Sequence, residues 1–117
     1  MALAATTQAQ AASCTPPPSG IVSWWPAEGN ANDIVSGNNG TLQAGVAFAS
    51  GLVGQALLLN NSTNAFVRVP ASASLENIEV ANGLTIEGWI DLSNVSGFHP
   101  IAEWNDGAGN VGAPSRN

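Results

Sequence analysis

A chain of 117 residues is long enough for one domain with a single core, and its two arginines, no lysine and eight acids give a formal charge of −6. That balance sets it against phosphate backbones and anionic lipid surfaces, which excludes nucleic acid as a partner class. Only 9% of the residues are charged while Gly, Asn, Ser, Thr and Ala abound, a composition suited to short strands and tight turns rather than to amphipathic helices, so an all-β protein is expected.

Residues 1–13, MALAATTQAQAAS, end on Ala9-Gln10-Ala11, a small-residue pattern of the kind that precedes a secretory cleavage site. They lack a basic leading region and a full apolar centre, so they read either as a residual signal-peptide-like segment or as an Ala-rich tail. Cys14 is the sole cysteine, which leaves no internal disulfide in this sequence; Ala11 stands where a lipoprotein signal needs an aliphatic residue. Residues 14–20 carry three consecutive prolines and form a stiff linker of polyproline type. The folded region is placed at 21–112, with a disordered tail at 113–117. No apolar run approaches the roughly 20 residues of a bilayer span, so no membrane insertion is expected.

Ile21-Val22-Ser23-Trp24-Trp25 is β-prone and is stopped by Pro26, as an opening or edge strand would be. The stretch Trp24–Gly40 organises the rest of the chain: two indoles, then a reversal carrying Glu28, Asn30, Asp33 and Asn38, closed by Asn39-Gly40 as a turn that accepts positive φ. Leu42, Ala44, Val46 and Phe48 recur at period two, which predicts one half-buried strand over 41–48. A turn over 51–54 leads to Gln55–Leu59, apolar enough to suit a strand buried on both faces. Asn60–Asn64 is a polar turn, and Ala65–Val69 alternates again until Pro70. Residues 71–80 have room for one helical turn capped by Ser72 or Ser74, with a loop as the plainer alternative. After the turn signal Asn82-Gly83, Leu84–Asp91 is the clearest strand: Leu84, Ile86 and Ile90 on one face, Thr85, Glu87, Trp89 and Asp91 on the other. His99–Trp104 is the last predicted strand and 105–110 a further turn.

The oxygen-bearing set Asp33, Asn30, Glu28 and Asn38 is a candidate calcium site, because Ca²⁺ takes six to eight oxygen ligands from carboxylates, amides and carbonyls. Asn- and Asp-rich loops also exist simply to make side-chain-to-backbone turns, and the spacing is not that of an EF-hand. Asp106, in its Gly-rich loop, is a weaker metal candidate on the same ground. Among the four tryptophans, Trp89 is the candidate for stacking on a sugar ring, since period-two alternation sets it beside Glu87 and Thr85; the competing role for any of them is core packing. Glu87 and Asp91 sit about 13 Å apart along a strand, against about 5–9.5 Å for glycosidase carboxylate pairs, so hydrolysis is not expected. His99 has no second histidine or cysteine close by in sequence, which leaves it a loop or packing residue. Asn39-Gly40-Thr41, Asn60-Asn61-Ser62, Asn61-Ser62-Thr63 and Asn94-Val95-Ser96 fit the N-glycosylation pattern, which also arises by chance in a chain of this composition.

Four segments, WWPAEGNANDIVSGNNGTL at 24–42, GLVGQALLLN at 51–60, FVRVPASASL at 66–75 and GLTIEGWI at 83–90, stand in an order and spacing that resembles the LamG-like jelly-roll domains of the concanavalin A-like lectin/glucanase superfamily. The resemblance covers about residues 20–112 and corresponds to the front half of such a domain. It implies an antiparallel β-sandwich, here incomplete, a secreted or extracellular setting, and a non-catalytic role in recognising a glycan or an extracellular protein ligand with calcium as a possible cofactor. A glycoside hydrolase of the same fold and a structural spacer are the alternatives. A sandwich without its later strands has unpaired edges, so self-association is also expected.

Overall fold

The computed structural model describes residues 16–77 and 83–104. The chain divides between Glu87 and Gly88 into two compact units. Among the described residues the fold is β-rich with antiparallel pairing and almost no helix: four short strands in two two-stranded sheets, one 3₁₀ turn and one turn of α-helix. Among the described residues no helix is long and apolar enough to cross a membrane.

In the first unit, β1 (Thr41–Gln43) pairs antiparallel with β4 (Phe66–Arg68), and β2 (Ala47–Ser50) with β3 (Gln55–Leu58). The β2–β3 hairpin is therefore nested inside the β1–β4 pair. The two ladders are separate sheets, divided by residues 44–46 between β1 and β2 and by the longer stretch 59–65 between β3 and β4. This corrects the single strand expected over 41–48. Ala44 (φ 53°) and Gly45 (φ 79°) both sit in the left-handed region, and Val46 N–H donates to the Gln43 carbonyl at 3.3 Å, a tight turn of the I′ pattern. Period-two alternation cannot detect such a turn when the residues on either side happen to keep the phase.

The return path keeps closer to the expected order. Gly51 N–H donates to the Gly54 carbonyl at 2.9 Å and closes the β2–β3 loop. Leu57 and Ala56 on β3 are half-buried, with Leu57 opposite Phe48, but Leu58 and Leu59 are exposed, so the expectation of a strand buried on both faces is not met: a two-stranded sheet offers this strand one neighbour only. Asn60–Asn64 is the polar turn anticipated, with a 3₁₀ turn (Asn61–Thr63) and Asn60 Oδ1 accepting from Ser62 N–H at 3.0 Å. In β4 only Val67 is half-buried between exposed Phe66 and Arg68, the alternation read from the sequence. The helix α1 (Ala73–Glu76) is one turn capped by Ser72, whose hydroxyl accepts from Leu75 N–H.

Ile21–Trp25 forms no strand. Its backbone is held by the adjoining loop: Trp24 N–H donates to Asp33 Oδ1 at 2.8 Å, and the Trp24 carbonyl accepts from Ile34 N–H at 3.0 Å. Groups already bonded to a loop are not free to join a ladder. The positive-φ glycines of this corner are Gly29 (φ 73°) and Gly37 (φ 74°), not Gly40. Gly40 is required for a different reason, since a Cβ there would run into Cγ1 of Val67 and meet Ala31 Cβ at 3.1 Å. The buried apolar side chains among the described residues are Ala27 and Ala31, so this unit closes around its polar corner rather than around a cluster of large hydrophobes.

The strands expected over 84–91 and 99–104 are absent. No described residue offers Leu84–Leu92 a backbone hydrogen-bond partner, and Leu84, Ile86 and Ile90 are 50%, 53% and 54% exposed instead of covered. Alternation states a capacity to pair, and a strand exists only where a second strand supplies the ladder. In the second unit, residues 88–104 carry no regular element, and Trp89, Val95, Phe98 and Ile101 are all exposed. Asn82 and the turn at 105–110, with Asp106, lie outside the described residues, as do Cys14 and the segment 1–13.

Candidate functional site

The most highly organised part of the molecule is the corner formed by residues 23–40. Asp33 is 7% exposed, and both its carboxylate oxygens are occupied by backbone donors. Oδ1 accepts from Trp24 N–H (2.8 Å) and Val35 N–H (2.9 Å); Oδ2 accepts from Ser36 N–H (3.2 Å) and Asn38 N–H (3.0 Å). Burial pushes this carboxyl up, but the N–H groups of Trp24, Val35 and Asn38 and the Ser23 hydroxyl outweigh it and bring its pKa from 3.8 to about 2. The loop folds this way because Asp accepts readily from N–H groups two to five residues ahead of it, and Gly37 supplies the left-handed conformation that brings Asn38 back.

Asn38, also 7% exposed, ties this corner to the helix cap. Its Nδ2 donates to Ser23 Oγ (2.7 Å) and Ser74 Oγ (2.9 Å), while its Oδ1 accepts from Ser72 Oγ (2.6 Å). Its carbonyl accepts from the Trp25 indole N–H at 2.8 Å. Every polar group of this buried asparagine is thus paired, and no buried side-chain nitrogen or oxygen among the described residues lacks a partner. Ser23, Ser72 and Ser74 are members of the network that sequence reasoning did not connect to Asn38: the serines of 71–75 are legible as helix caps, but nothing in a single sequence says which distant amide they face.

The other two members of the expected metal set are turned elsewhere. The Glu28 carboxylate accepts from Gln55 N–H, with both oxygens at 3.2 Å, and so clasps the end of the β2–β3 loop; a Cβ on Gly54 (φ 62°) would collide with it. Asn30 is exposed and makes local bonds, donating to the Glu28 carbonyl (3.1 Å) and accepting from Asn32 N–H (2.9 Å). The four residues therefore serve two separate tasks: Asp33 and Asn38 the corner, Glu28 and Asn30 the neighbouring turn and the hairpin loop. In this arrangement the lone pairs of both Asp33 oxygens are taken by N–H donors, whose positive ends occupy the directions that a cation would need. No group of three His, Cys, Asp or Glu side chains placed to hold a metal ion occurs among the described residues.

Of the three residues expected at a ligand face, Thr85 and Glu87 end the first unit and Trp89 begins the second, all exposed. Trp89 is 88% exposed. Phe98, which has no distinctive sequence signature, is 100% exposed in the same unit as Trp89. The only signal for it was its setting between Gly97, which has φ 89°, and the His99-Pro100 pair. His99 bonds within its own loop, its Nε2 lying 3.0 Å from the Ser96 carbonyl, and Asn94 Oδ1 accepts from Ser96 N–H at 3.1 Å.

No family model, curated protein or solved structure matches this chain.

Proposed function

We propose that the chain is a non-catalytic recognition module of an exported protein, built as part of a LamG-like jelly-roll sandwich, that binds carbohydrate or a cell-surface protein through exposed aromatic and polar side chains. The observation that carries this reading is the 88% exposure of Trp89. An indole left in water keeps its apolar face unburied, and that face is complementary to the C–H bonds of a pyranose ring. Glu87 and Thr85 supply hydrogen-bonding groups for sugar hydroxyls at neighbouring positions of the chain. The net charge of −6 favours neutral or cationic ligands over anionic ones.

Calcium enters as an auxiliary that the test separates from the main claim. Affinity electrophoresis and glycan-array binding of the chain, each run with calcium and with a chelator, are expected to show retention by a neutral glycan or a matrix protein that Trp89→Ala abolishes. Retention that survives Trp89→Ala, or no retention on any surface under either condition, refutes the reading. Loss of retention with chelator alone would bring calcium into the site.

A further inference from the structure

We propose that Leu84–Leu92 is a pairing strand for a second copy of this chain, joined antiparallel about a two-fold axis through Gly88. Outward from Gly88, the sequence LTIEGWIDL is symmetric in chemical class: Ile86 answers Ile90, Leu84 answers Leu92, and Thr85 answers Asp91. Only Glu87 and Trp89 differ, and in the two-fold register each faces the other.

Directly opposite residues of an antiparallel pair share a face, so this register places Leu84 against Leu92 and Ile86 against Ile90 on one side of the ribbon. Thr85 against Asp91 and Glu87 against Trp89 make up the other side. No two acids meet. Moving one copy by two residues in either direction keeps the faces but sets Glu87 against Glu87, or Glu87 against Asp91, and like charges directly opposite destabilise a pair. A one-residue move sets Leu84 against Asp91, or Ile86 against Asp91, and mixes the faces. One register is therefore selected by charge and hydropathy together.

The structure contributes three observations to this pairing. The backbone of 84–92 has no hydrogen-bond partner among the described residues, so its N–H and C=O groups are available for a ladder. Leu84, Ile86, Ile90 and Leu92 remain between 45% and 54% exposed, which leaves apolar area for a partner to cover. Gly88 has open space where a Cβ would stand and no left-handed φ, so nothing obstructs the close approach of two chains at the axis. The inference does not depend on carbohydrate binding.

Because a residue on the two-fold axis faces its own copy, Gly88→Cys in a Cys14→Ser background reports the register directly. Paired Cα atoms stand about 4.5–5.5 Å apart in such a ladder, inside the range of about 4.4–6.8 Å that a disulfide spans. Under mild oxidation the full chain carrying Gly88→Cys is expected to form a covalent dimer. Leu84→Cys alone and Leu92→Cys alone should not, while their equimolar mixture should cross-link to each other. Sedimentation of the cysteine-free chain should show a monomer–dimer equilibrium that Ile86→Asp weakens by at least about tenfold, given an acid buried against Ile90. Ile86 is half-exposed, so the monomer's amide spectrum outside 84–92 should be unchanged. Equal cross-linking at all three positions would mean parallel or non-specific association. A chain that stays monomeric, or an association that Ile86→Asp leaves intact, would likewise overturn the proposal.

Discussion

Asp33 and Asn38 are interlocked: the Asn38 N–H donates to Asp33 Oδ2 at 3.0 Å, and the Asn38 amide in turn engages Ser23, Ser72 and Ser74. A buried carboxylate thus fixes the loop that presents a buried amide, and the amide fixes the cap of α1. The corner and the helix are separated by more than thirty residues of sequence and are joined by this pair of side chains.

Replacing Asp33 by Asn tests the first half of that lock. Whichever way the new amide is turned, an NH₂ group faces two backbone donors, either Trp24 and Val35 or Ser36 and Asn38. Losing those bonds and leaving the donors unpaired costs roughly 2–3 kcal/mol. Amide hydrogen exchange at Val35 and Asn38 should therefore accelerate on the order of a hundredfold. Unchanged protection at both amides would show that the carboxylate does not hold the loop.

The same carboxylate makes the corner pH-sensitive. Its folded pKa of about 2 lies below the ordinary 3.8, so ionised Asp33 stabilises the folded corner above the unfolded value, and that contribution is lost as pH falls towards 2. The loss should amount to roughly 2 kcal/mol between about pH 5 and about pH 1. Following the Asp33 side-chain carbon by NMR should give a midpoint near 2; a midpoint near 4 would mean that the four N–H donors are not engaged in solution.

Gly40→Ala separates steric need from backbone freedom. Gly40 does not have a left-handed φ, but an added Cβ would strike Val67 Cγ1 and crowd Ala31. Crowding of that kind costs about 1–3 kcal/mol. The disturbance should appear at Val67 and in the β1–β4 ladder while the β2–β3 resonances keep their positions. Shifts confined to residues 37–41 would place the glycine's role in the turn instead.

The contrast between Gly37 and Gly40 shows how far a single sequence reaches. Asn39-Gly40 has the composition of a positive-φ turn, yet Gly37, after Ser36, holds that conformation, and the demand on Gly40 comes from Val67, which is distant in sequence. Local signals were legible where the structure is local: the Ser72 cap, the Asn60–Asn64 turn, the 51–54 loop and the alternation in β4. They failed where a partner decides. Leu84–Asp91 has the best strand pattern and no strand, and Ile21–Trp25 is β-prone but the N–H and carbonyl of its Trp24 are taken by Asp33 and Ile34. The candidate metal residues were legible as a polar reversal; that Asp33 would accept four N–H groups while Glu28 reached Gln55 was not.

Ala44→Asn should stabilise the passage from β1 to β2. Ala44 is exposed and holds φ 53°, which an alanine adopts at a cost, whereas Asn tolerates that region and Asn-Gly is the preferred pair for a turn with two left-handed residues. A gain of about 0.5–1 kcal/mol is expected, read as slower amide exchange at Val46. Faster exchange there would mean that the turn is not held in this conformation in solution.

Trp89 gives the most direct optical test. It is 88% exposed, against 52% for Trp104 and 36% for Trp25, while Trp24 is half-buried. Collisional quenching by acrylamide should therefore fall mainly on Trp89, and Trp89→Phe should remove the most accessible, red-most part of the emission. Because the indole leaves no packing contact behind, exchange protection in the β2–β3 hairpin should change by less than about 0.5 kcal/mol. If a neutral glycan protects the native chain from acrylamide and has no effect on Trp89→Phe, the ligand covers this indole. Protection that is the same in both chains would move the ligand to another tryptophan.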